Sequence, residues 1–345
     1  MELSTLIEKV TEGHDLSVPD AAAAFGTVMS GDASPVQIAA LLAALRTKGH
    51  AASEVAGGVQ ALQDEMIRVE ASTDRVLVDT CGTGGGSVTT FNISTAAAFV
   101  VAGAGVGVAK HGNRSFTSKS GSADVLEALG VNIQLTADAM GRILGDIGIV
   151  FMFAPLLHPA MRHVGPVRKE LGIPTIMNLL GPLTNPAGVR RQVVGVADSA
   201  LVPLLASALR ELGHERAMVV HGAPGMDELS PLGSTRVAEL VDGEVREWNV
   251  RPEELGVPLA RPEEIAGGSP EENAIRIAAV LGGEDTGGAL SVTLLNAAAG
   301  LYVAGAVSSL KEGVDMAREV IASGAARRSL EALAQAASSE PAPES

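Results

Sequence analysis

The sequence predicts an α/β protein, with a small N-terminal helical domain and a larger domain built on a central, mostly parallel sheet flanked by helices. Three observations carry this reading. Residues 1 to about 72 show helical spacing and cap signals but no strand. From about residue 73, short apolar runs alternate with helical stretches, the pattern of a parallel sheet with helices on its faces. Two of those runs end in turns rich in glycine and hydroxyls that lead into helices.

Taken in order, Ser17 with Pro19 and Ser34 with Pro35 each supply a helix cap followed by a proline near the first helical position. Ile38, Leu41, Leu42 and Leu45 follow the second at helical spacing before Gly49, and Ser53-Glu54 opens another helix. Such a bundle has more apolar faces than it can bury alone. Either part of it forms a dimer interface or it packs wholly on the domain that follows. Strands are expected at 75–79, 105–109, 131–135, 149–153, 192–196 and 217–221. Residues 154–190 interrupt the alternation; they carry Arg162, Arg168 and Lys169, then a Pro/Gly-punctuated turn region over 178–187. Residues 235–249, with Asp242-Gly243 at their middle, read as a β-hairpin. Helices from about 270 to 335 close the domain, and 337–345 read as a disordered, Pro-containing tail.

Composition narrows the function. The 345 residues carry a net charge of −15 with no concentrated basic run, so a nucleic-acid backbone would be repelled. No apolar run has the length of a membrane span, and the acidic, weakly apolar start is unlike a secretory signal, so a cytoplasmic protein is expected. One cysteine, Cys81, rules out an intrachain disulfide and a cysteine metal cluster; it reads as a small buried side chain. Aromatics make up only 2% of residues, so Ala, Val, Leu and Gly must build the core.

Two stretches carry the chemistry. After the run at 76–79 comes a loop with Gly82, Gly84, Gly85 and Gly86, then a helix starting near Asn92, Ser94 and Thr95. Backbone N–H groups in a glycine loop at a helix N-terminus can cradle a phosphate. The loop lacks the lysine of a Walker A motif and the third glycine of a dinucleotide fingerprint. On glycines alone, an ordinary strand-to-helix turn fits equally well. The second stretch runs from Lys110 to Ser118, with two cations and three hydroxyls, and enters a helix near Ser122. Two adjacent anion-binding strand ends point to a ligand with more than one phosphate. Asp227-Glu228, after the strand ending at His221, reads either as a solvated acidic loop or as a magnesium site.

GTGG at 82–85, TFNIST at 90–95, KHGNR at 110–114, GSADVLEALG at 121–130, HPAMRHVGPVRKELG at 158–172, NLLGPLTNPA at 178–187 and the Asp227-Glu228 pair occur in that order. Together they resemble the anthranilate phosphoribosyltransferase family, which shares its fold with pyrimidine nucleoside phosphorylases. The resemblance covers nearly the whole chain. It implies transfer of the phosphoribosyl group of phosphoribosyl pyrophosphate to the amine of anthranilate, a step of tryptophan biosynthesis. It also implies a homodimer, and Mg2+ held by Ser94, Asp227 and Glu228, with two ions per subunit. Residues 1–72, joined by about 160–188, would form the helical domain and dimer interface, with hinges between it and the 73–336 domain.

By this resemblance, phosphoribosyl pyrophosphate contacts fall on Gly82, Gly85, Gly86, Thr90, Asn92, Ile93, Ser94 and Thr95. They continue on Lys110, His111, Gly112, Asn113, Arg114, Ser115, Phe116, Thr117 and Ser118, and on Ser122. Arg114 is equally well read as a surface charge. Gly82, Asn113 and Arg168 would line the anthranilate pocket, Arg168 pairing with its carboxylate. His111 would orient or deprotonate the amine, or serve only as a hydrogen-bonded loop histidine. His158 would line the route by which anthranilate enters. The chain departs from the family pattern at Gly86, where Asp is common, and at Met177, where Phe is common. Two competing readings are a pyrimidine nucleoside phosphorylase-like enzyme and a noncatalytic nucleic-acid-binding paralogue. The first would not need Asp227-Glu228, and the second would need a basic surface.

Overall fold

The computed structural model describes residues 2–115 and 119–340. Four helices come first: α1 Leu3–Thr11, α2 Val18–Met29, α3 Pro35–Lys48 and α4 Ala52–Glu65. The Ser17 and Ser34 hydroxyls accept from the N–H groups of Asp20 and Gln37, both at 3.3 Å, and each helix has proline in its first turn. α4 begins one residue ahead of Ser53, because the Glu54 carboxylate folds back onto the Ala51 N–H at 2.9 Å.

Seven strands follow among the described residues: β1 Leu77–Gly82, β2 Gly107–Gly112, β3 Ile149–Phe153, β4 Arg191–Gly195, β5 Arg216–Gly222, β6 Thr235–Val241 and β7 Glu244–Val250. They form one sheet in the order β3-β2-β1-β4-β5-β6-β7. The first five in that order are parallel, while β6 and β7 add an antiparallel hairpin. The hairpin turns at Asp242-Gly243, both with positive φ (52° and 78°), as a tight two-residue turn requires. Between strands run α5 Ile93–Gly103, α6 Ser122–Ala128, α7 Ala137–Ile147, α8 Ala154–Leu157, α9 Met161–Leu171, α10 Met177–Leu183 and α11 Leu201–Glu211. The chain closes with α12 Pro270–Leu281, α13 Gly288–Ala304, α14 Leu310–Ala322 and α15 Ala325–Ser338. No described helix is long and apolar enough to cross a membrane.

Alternation along the strands sorts the core into two clusters. Met218 and Val220 face the one built with α5, α13 and α15, while Ala217 and Val219 face the one built with α11, α9, α10 and the N-terminal helices. Both faces of the sheet are therefore covered, as parallel strands require. Leu180 on α10 packs into α4, where a Cβ on Gly58 would stand 2.8 Å from it.

Four sequence expectations need correction. Residues 131–135 are not a strand. Val131, Ile133 and Leu135 are buried in alternation, but the backbone joins no ladder; the Gln134 N–H instead donates to Asn132 Oδ1 at 2.9 Å. The 178–187 region is not all turn, since α10 runs through Gly181 and carries Pro182 in its last turn. Nor does the tail begin at 337. Ala326, Leu330, Leu333 and Ala337 continue one buried helical stripe, so α15 extends to Ser338; residues 341–345 lie outside the described residues. β1 and β2 also start two residues later than expected and run on into their glycines.

The sheet order fixes where a ligand can bind. The chain leaves β1 for β2 and β3 on one side, then returns to β4 on the other. The switch point lies between β1 and β4, and crevices open there beyond the carboxyl ends of strands. Four of the five parallel strands end in glycine: Gly82, Gly112, Gly195 and Gly222. Gly82 and Gly195 are paired in register across the switch point. A Cβ on Gly195 would run into the main chain of Asp227. Gly195→Ala is expected to destabilise the protein by about 1–3 kcal/mol, the usual cost of overpacking. Gly26→Ala in α2, where a Cβ would meet nothing within 4 Å, is expected to stabilise it by about 0.5–1 kcal/mol. Urea midpoints of the two variants check both signs.

Candidate active site

The 222–230 loop lies across the glycine ends. It is held as a rigid turn, with Gly222 and Met226 exchanging main-chain hydrogen bonds at 2.9 and 2.7 Å, and the Ser230 hydroxyl donating to the Ala223 carbonyl. From below, Asn296 on α13 brackets Leu229, accepting its N–H at 2.9 Å and donating to its carbonyl at 3.0 Å. The approach is possible only over glycine. A Cβ on Gly82 would collide with the Asp227 carboxylate, and one on Gly222 with the Glu228 carbonyl.

This turn aims two adjacent carboxylates in two directions. Asp227 Oδ2 accepts the Gly84 N–H at 2.9 Å, and Glu228 Oε1 accepts the Ser94 N–H at 3.1 Å. The first turn of α5 is therefore an anion site already filled by a side chain. Its other N–H groups are spent locally: Ile93 on the Phe91 carbonyl, Thr95 on that of Asn92. Burial raises the pKa of both carboxylates. For Glu228 the charge on Asp227 pushes further in the same direction, against the pull of Lys110. Neither carboxylate has an ion-pair partner among the described residues.

Lys110, at the end of β2, is 4% exposed, and its ammonium turns inward. It donates to the Thr80 carbonyl at 2.6 Å and to Ser94 Oγ at 3.2 Å. There it balances Glu228 and the fully buried Asp79 rather than facing outward as an exposed point charge. Burial pushes Asp79 up to about 6, while Lys110 and the Asn185 amide, 2.8 Å from Oδ2, pull it back. Asn185 also donates to the Ala109 carbonyl at 2.8 Å, so one side chain ties β1 to β2.

The remaining residues expected at the site differ in what they do. Gly82, Gly85, Gly86 and Thr90 line the loop between β1 and α5, and the N–H groups of Gly85 and Gly86 donate to no acceptor among the described residues. Asn92 is half-buried and spent on structure: it bonds Ser120 through both ends of its amide and accepts from Asn273 at 3.0 Å. The Ile93 side chain is buried, and Thr95 Oγ1 is buried without a partner. Arg114 does not enter the site. Asp124 and Glu127 of α6 hold its guanidinium at 2.7 and 2.6 Å, which favours the surface-charge reading. Ser122 Oγ donates to the Asn113 carbonyl at 3.3 Å, and the Cβ that Gly112 lacks would strike that hydroxyl. The Ser115 N–H faces Asp124 at 3.4 Å. Phe116, Thr117 and Ser118 lie outside the described residues.

His111 is buried, and its Nε2 lies 3.2 Å from Nε2 of His158. Burial, His158 and Lys110 depress its basicity to about 3, against the Gly181 carbonyl; burial holds His158 at about 4, against the Thr184 carbonyl. Arg168 on α9 is half-buried with no carboxylate partner among the described residues; its Nη2 reaches Asn178 Oδ1 at 3.4 Å. Burial lowers its pKa but leaves it cationic. Met177 is buried in the core of the helical side. Cys81 is half-buried, its thiol pKa raised by burial, and Gln192 donates to its sulfur at 3.2 Å, so it is chemically inert.

Sequence reasoning overlooked Asp79, Asn185, Asn296 and Gln192, and assigned no pairing to His158. A faint signal existed for two of them. Asn296 lies in a mostly apolar helix, and Asp79 follows the apolar run Val76-Leu77-Val78, both costly places for a polar side chain without a partner.

A Glycosyl transferase family helical bundle domain matches residues 4–66, and a Glycosyl transferase family a/b domain matches residues 74–327. Anthranilate phosphoribosyltransferase of Symbiobacterium thermophilum is 50% identical over 331 residues, 96% of each chain. The crystal structure of anthranilate phosphoribosyltransferase from Thermus thermophilus is 44% identical, with a TM-score of 0.91, over 96% of this chain and 99% of that one. The Saccharomyces cerevisiae enzyme, solved in complex with PRPP and Mg, is 30% identical, with a TM-score of 0.89, over 98% of each chain. It has also been solved with 4-fluoroanthranilate. The chain belongs to the anthranilate phosphoribosyltransferase family.

Proposed function

We propose that this chain transfers the phosphoribosyl group of phosphoribosyl pyrophosphate to the amine of anthranilate, releasing pyrophosphate. The observation that carries the reading is the half-buried Asp227-Glu228 pair, which makes no ion pair among the described residues and is set against a glycine loop whose Gly85 and Gly86 N–H groups donate to no acceptor there. Such a donor set fits a hard divalent ion. Among the described residues no three His, Cys, Asp or Glu side chains surround one metal position. Mg2+ would therefore complete its shell from the Ser94 hydroxyl, the diphosphate and water. We assign two ions per subunit. When bound, magnesium neutralises the charge that collects on the departing diphosphate.

The chain's own groups do the rest. The Gly85 and Gly86 N–H groups bind diphosphate oxygens, and Lys110 holds Ser94 in place. Arg168, oriented by Asn178, takes the anthranilate carboxylate, with Asn113 beside it. The reaction is a direct displacement at the sugar carbon, so positioning and charge neutralisation supply the rate. The protein works as a cytoplasmic homodimer joined through its helical domain, where Val36 on α3 is 77% exposed.

Three outcomes test this. Anthranilate fluorescence should fall only when phosphoribosyl pyrophosphate and Mg2+ are both present; no turnover with both would sink the proposal. Arg168→Ala should raise KM for anthranilate at least about tenfold, the weight of one charge-assisted contact, with little change for phosphoribosyl pyrophosphate. Equal loss for both substrates counts against that role. The third concerns pH. Both carboxylates have folded pKa values above their unfolded ones, so their contribution to stability is present below the usual carboxylate range and is lost as pH rises through the raised values. The metal-free protein should thus be stabilised by Glu228→Gln at pH 8 but not at pH 4, by at least about 1 kcal/mol, since one pKa unit is worth about 1.4 kcal/mol. Added Mg2+ should raise Tm more at pH 8 than at pH 5, and melting curves read both.

A further inference from the structure

We propose that His111 and His158 form a cradle for one proton, shared between their Nε2 atoms, which receives the proton that the aryl amine loses as it bonds to the sugar carbon. The inference rests on the reaction proposed above. Its source is the geometry at the end of β2. The two Nε2 atoms face each other at 3.2 Å, with the rings tilted by 54° and their centroids 5.0 Å apart. Both side chains are buried. The His111 ring also meets the Gly181 carbonyl and the His158 ring the Thr184 carbonyl.

A carbonyl only accepts, so it keeps a ring proton on the nitrogen that faces it. A neutral imidazole has one ring proton. We assign that proton to Nδ1 of each ring, since each Nε2 is turned toward the other histidine. Two lone pairs are then left pointing at each other, a place that one added proton fills. The charged groups nearby are the Lys110 ammonium, which opposes protonation, and the Asp79 carboxylate, whose Oδ1 is 3.4 Å from the His111 main-chain nitrogen. No carboxylate bonds either ring among the described residues, so neither histidine gains basicity from an acid partner.

The step balances. The amine lone pair forms the N–C1 bond, and the C1–O bond breaks with its electrons leaving on diphosphate. The surplus proton on nitrogen passes into the Nε2 pair and later returns to solvent. Protons on an arylammonium nitrogen are far more acidic than alkylammonium ones, so a pair of weak bases suffices. His111 is the member that meets the amine, and His158 is a positioning residue acting through it.

The test uses the full chain labelled with 15N-histidine, its signals assigned with His111→Gln and His158→Gln. In the wild type, both rings should shift together in a single transition on acidification. In His158→Gln, His111 should take up its proton only at lower pH. Two independent transitions, or an unchanged His111 in that variant, overturn the shared proton. Glutamine can still donate to His111 Nε2 but cannot hold a proton. His158→Gln should therefore lose about 100-fold in kcat, the low end of proton-transfer effects, with KM for phosphoribosyl pyrophosphate unchanged. Wild-type kcat in the variant overturns the catalytic role. A wild type with no turnover overturns the reaction itself, and the NMR transition still decides the pair.

Discussion

The site depends on a steric fact: a main-chain turn lies directly on the end of a sheet. Side chains at positions 82, 195 and 222 would fill the space that Asp227, Glu228 and their backbone occupy. Because those three strand ends are glycine, the turn comes close enough for Asp227 to reach the Gly84 N–H and Glu228 to reach the start of α5. A carboxylate removed from water is costly unless hydrogen-bonded or paired. Here each has one main-chain donor, and the nearest cation, Lys110, is committed to Thr80 and Ser94. The negative charge that Lys110 leaves only partly balanced is what a bound divalent cation would relieve. Stability given up at this point would raise the affinity for a cation on the function proposed here.

Much of this was legible in the sequence, and the reasons are local. Ser17, Ser34 and Asp242-Gly243 act within four residues of themselves, so caps and hairpin could be read directly. The glycine-rich strand ends were legible for the same reason. What failed was non-local. Residues 131–135 have a strand's alternation, yet ladder formation needs a neighbour, and none is offered; the side chain of Asn132 satisfies the backbone instead. The extension of α15 to Ser338 is decided by a packing stripe that starts twelve residues earlier, at Ala326. At the site, residue types were readable but their orientation was not. Nothing in the sequence said that the α5 N-terminus would be filled by Glu228, that Lys110 would turn inward, or that Arg114 would be held by α6.

α10 is the clearest case of function hidden from a linear reading. Interrupted by Gly181 and Pro182, it looks like a connector. In the fold it meets the part of the site that holds Arg168 and His111. Asn178 steadies Arg168, Gly181 faces the His111 ring, and the Pro182 carbonyl accepts from Gln192 at 2.6 Å. Pro182 has no N–H to offer, and being in the last turn it breaks little of the helix. Just beyond, Asn185 reaches Asp79. A segment that must present carbonyls and amides in several directions cannot be a long regular helix, which explains its composition.

The two substrates proposed here would therefore be held by different parts of the core. The carboxylate turn and the glycine loop stand on the sheet and on α13, within the cluster that includes α5 and α15. Arg168 and α10 belong to the cluster that includes α2, α3 and α4. The histidine pair joins them, with His111 on β2 and its ring against a carbonyl of α10. A nucleophile and a leaving group that must align within a few tenths of an ångström are thus set by two packing units meeting at one seam. Relative movement of the units would act on alignment before it acted on the grip of either substrate. On this proposal the chemistry would be sensitive to the N-terminal bundle even though no residue of α1 to α4 belongs to the proposed site.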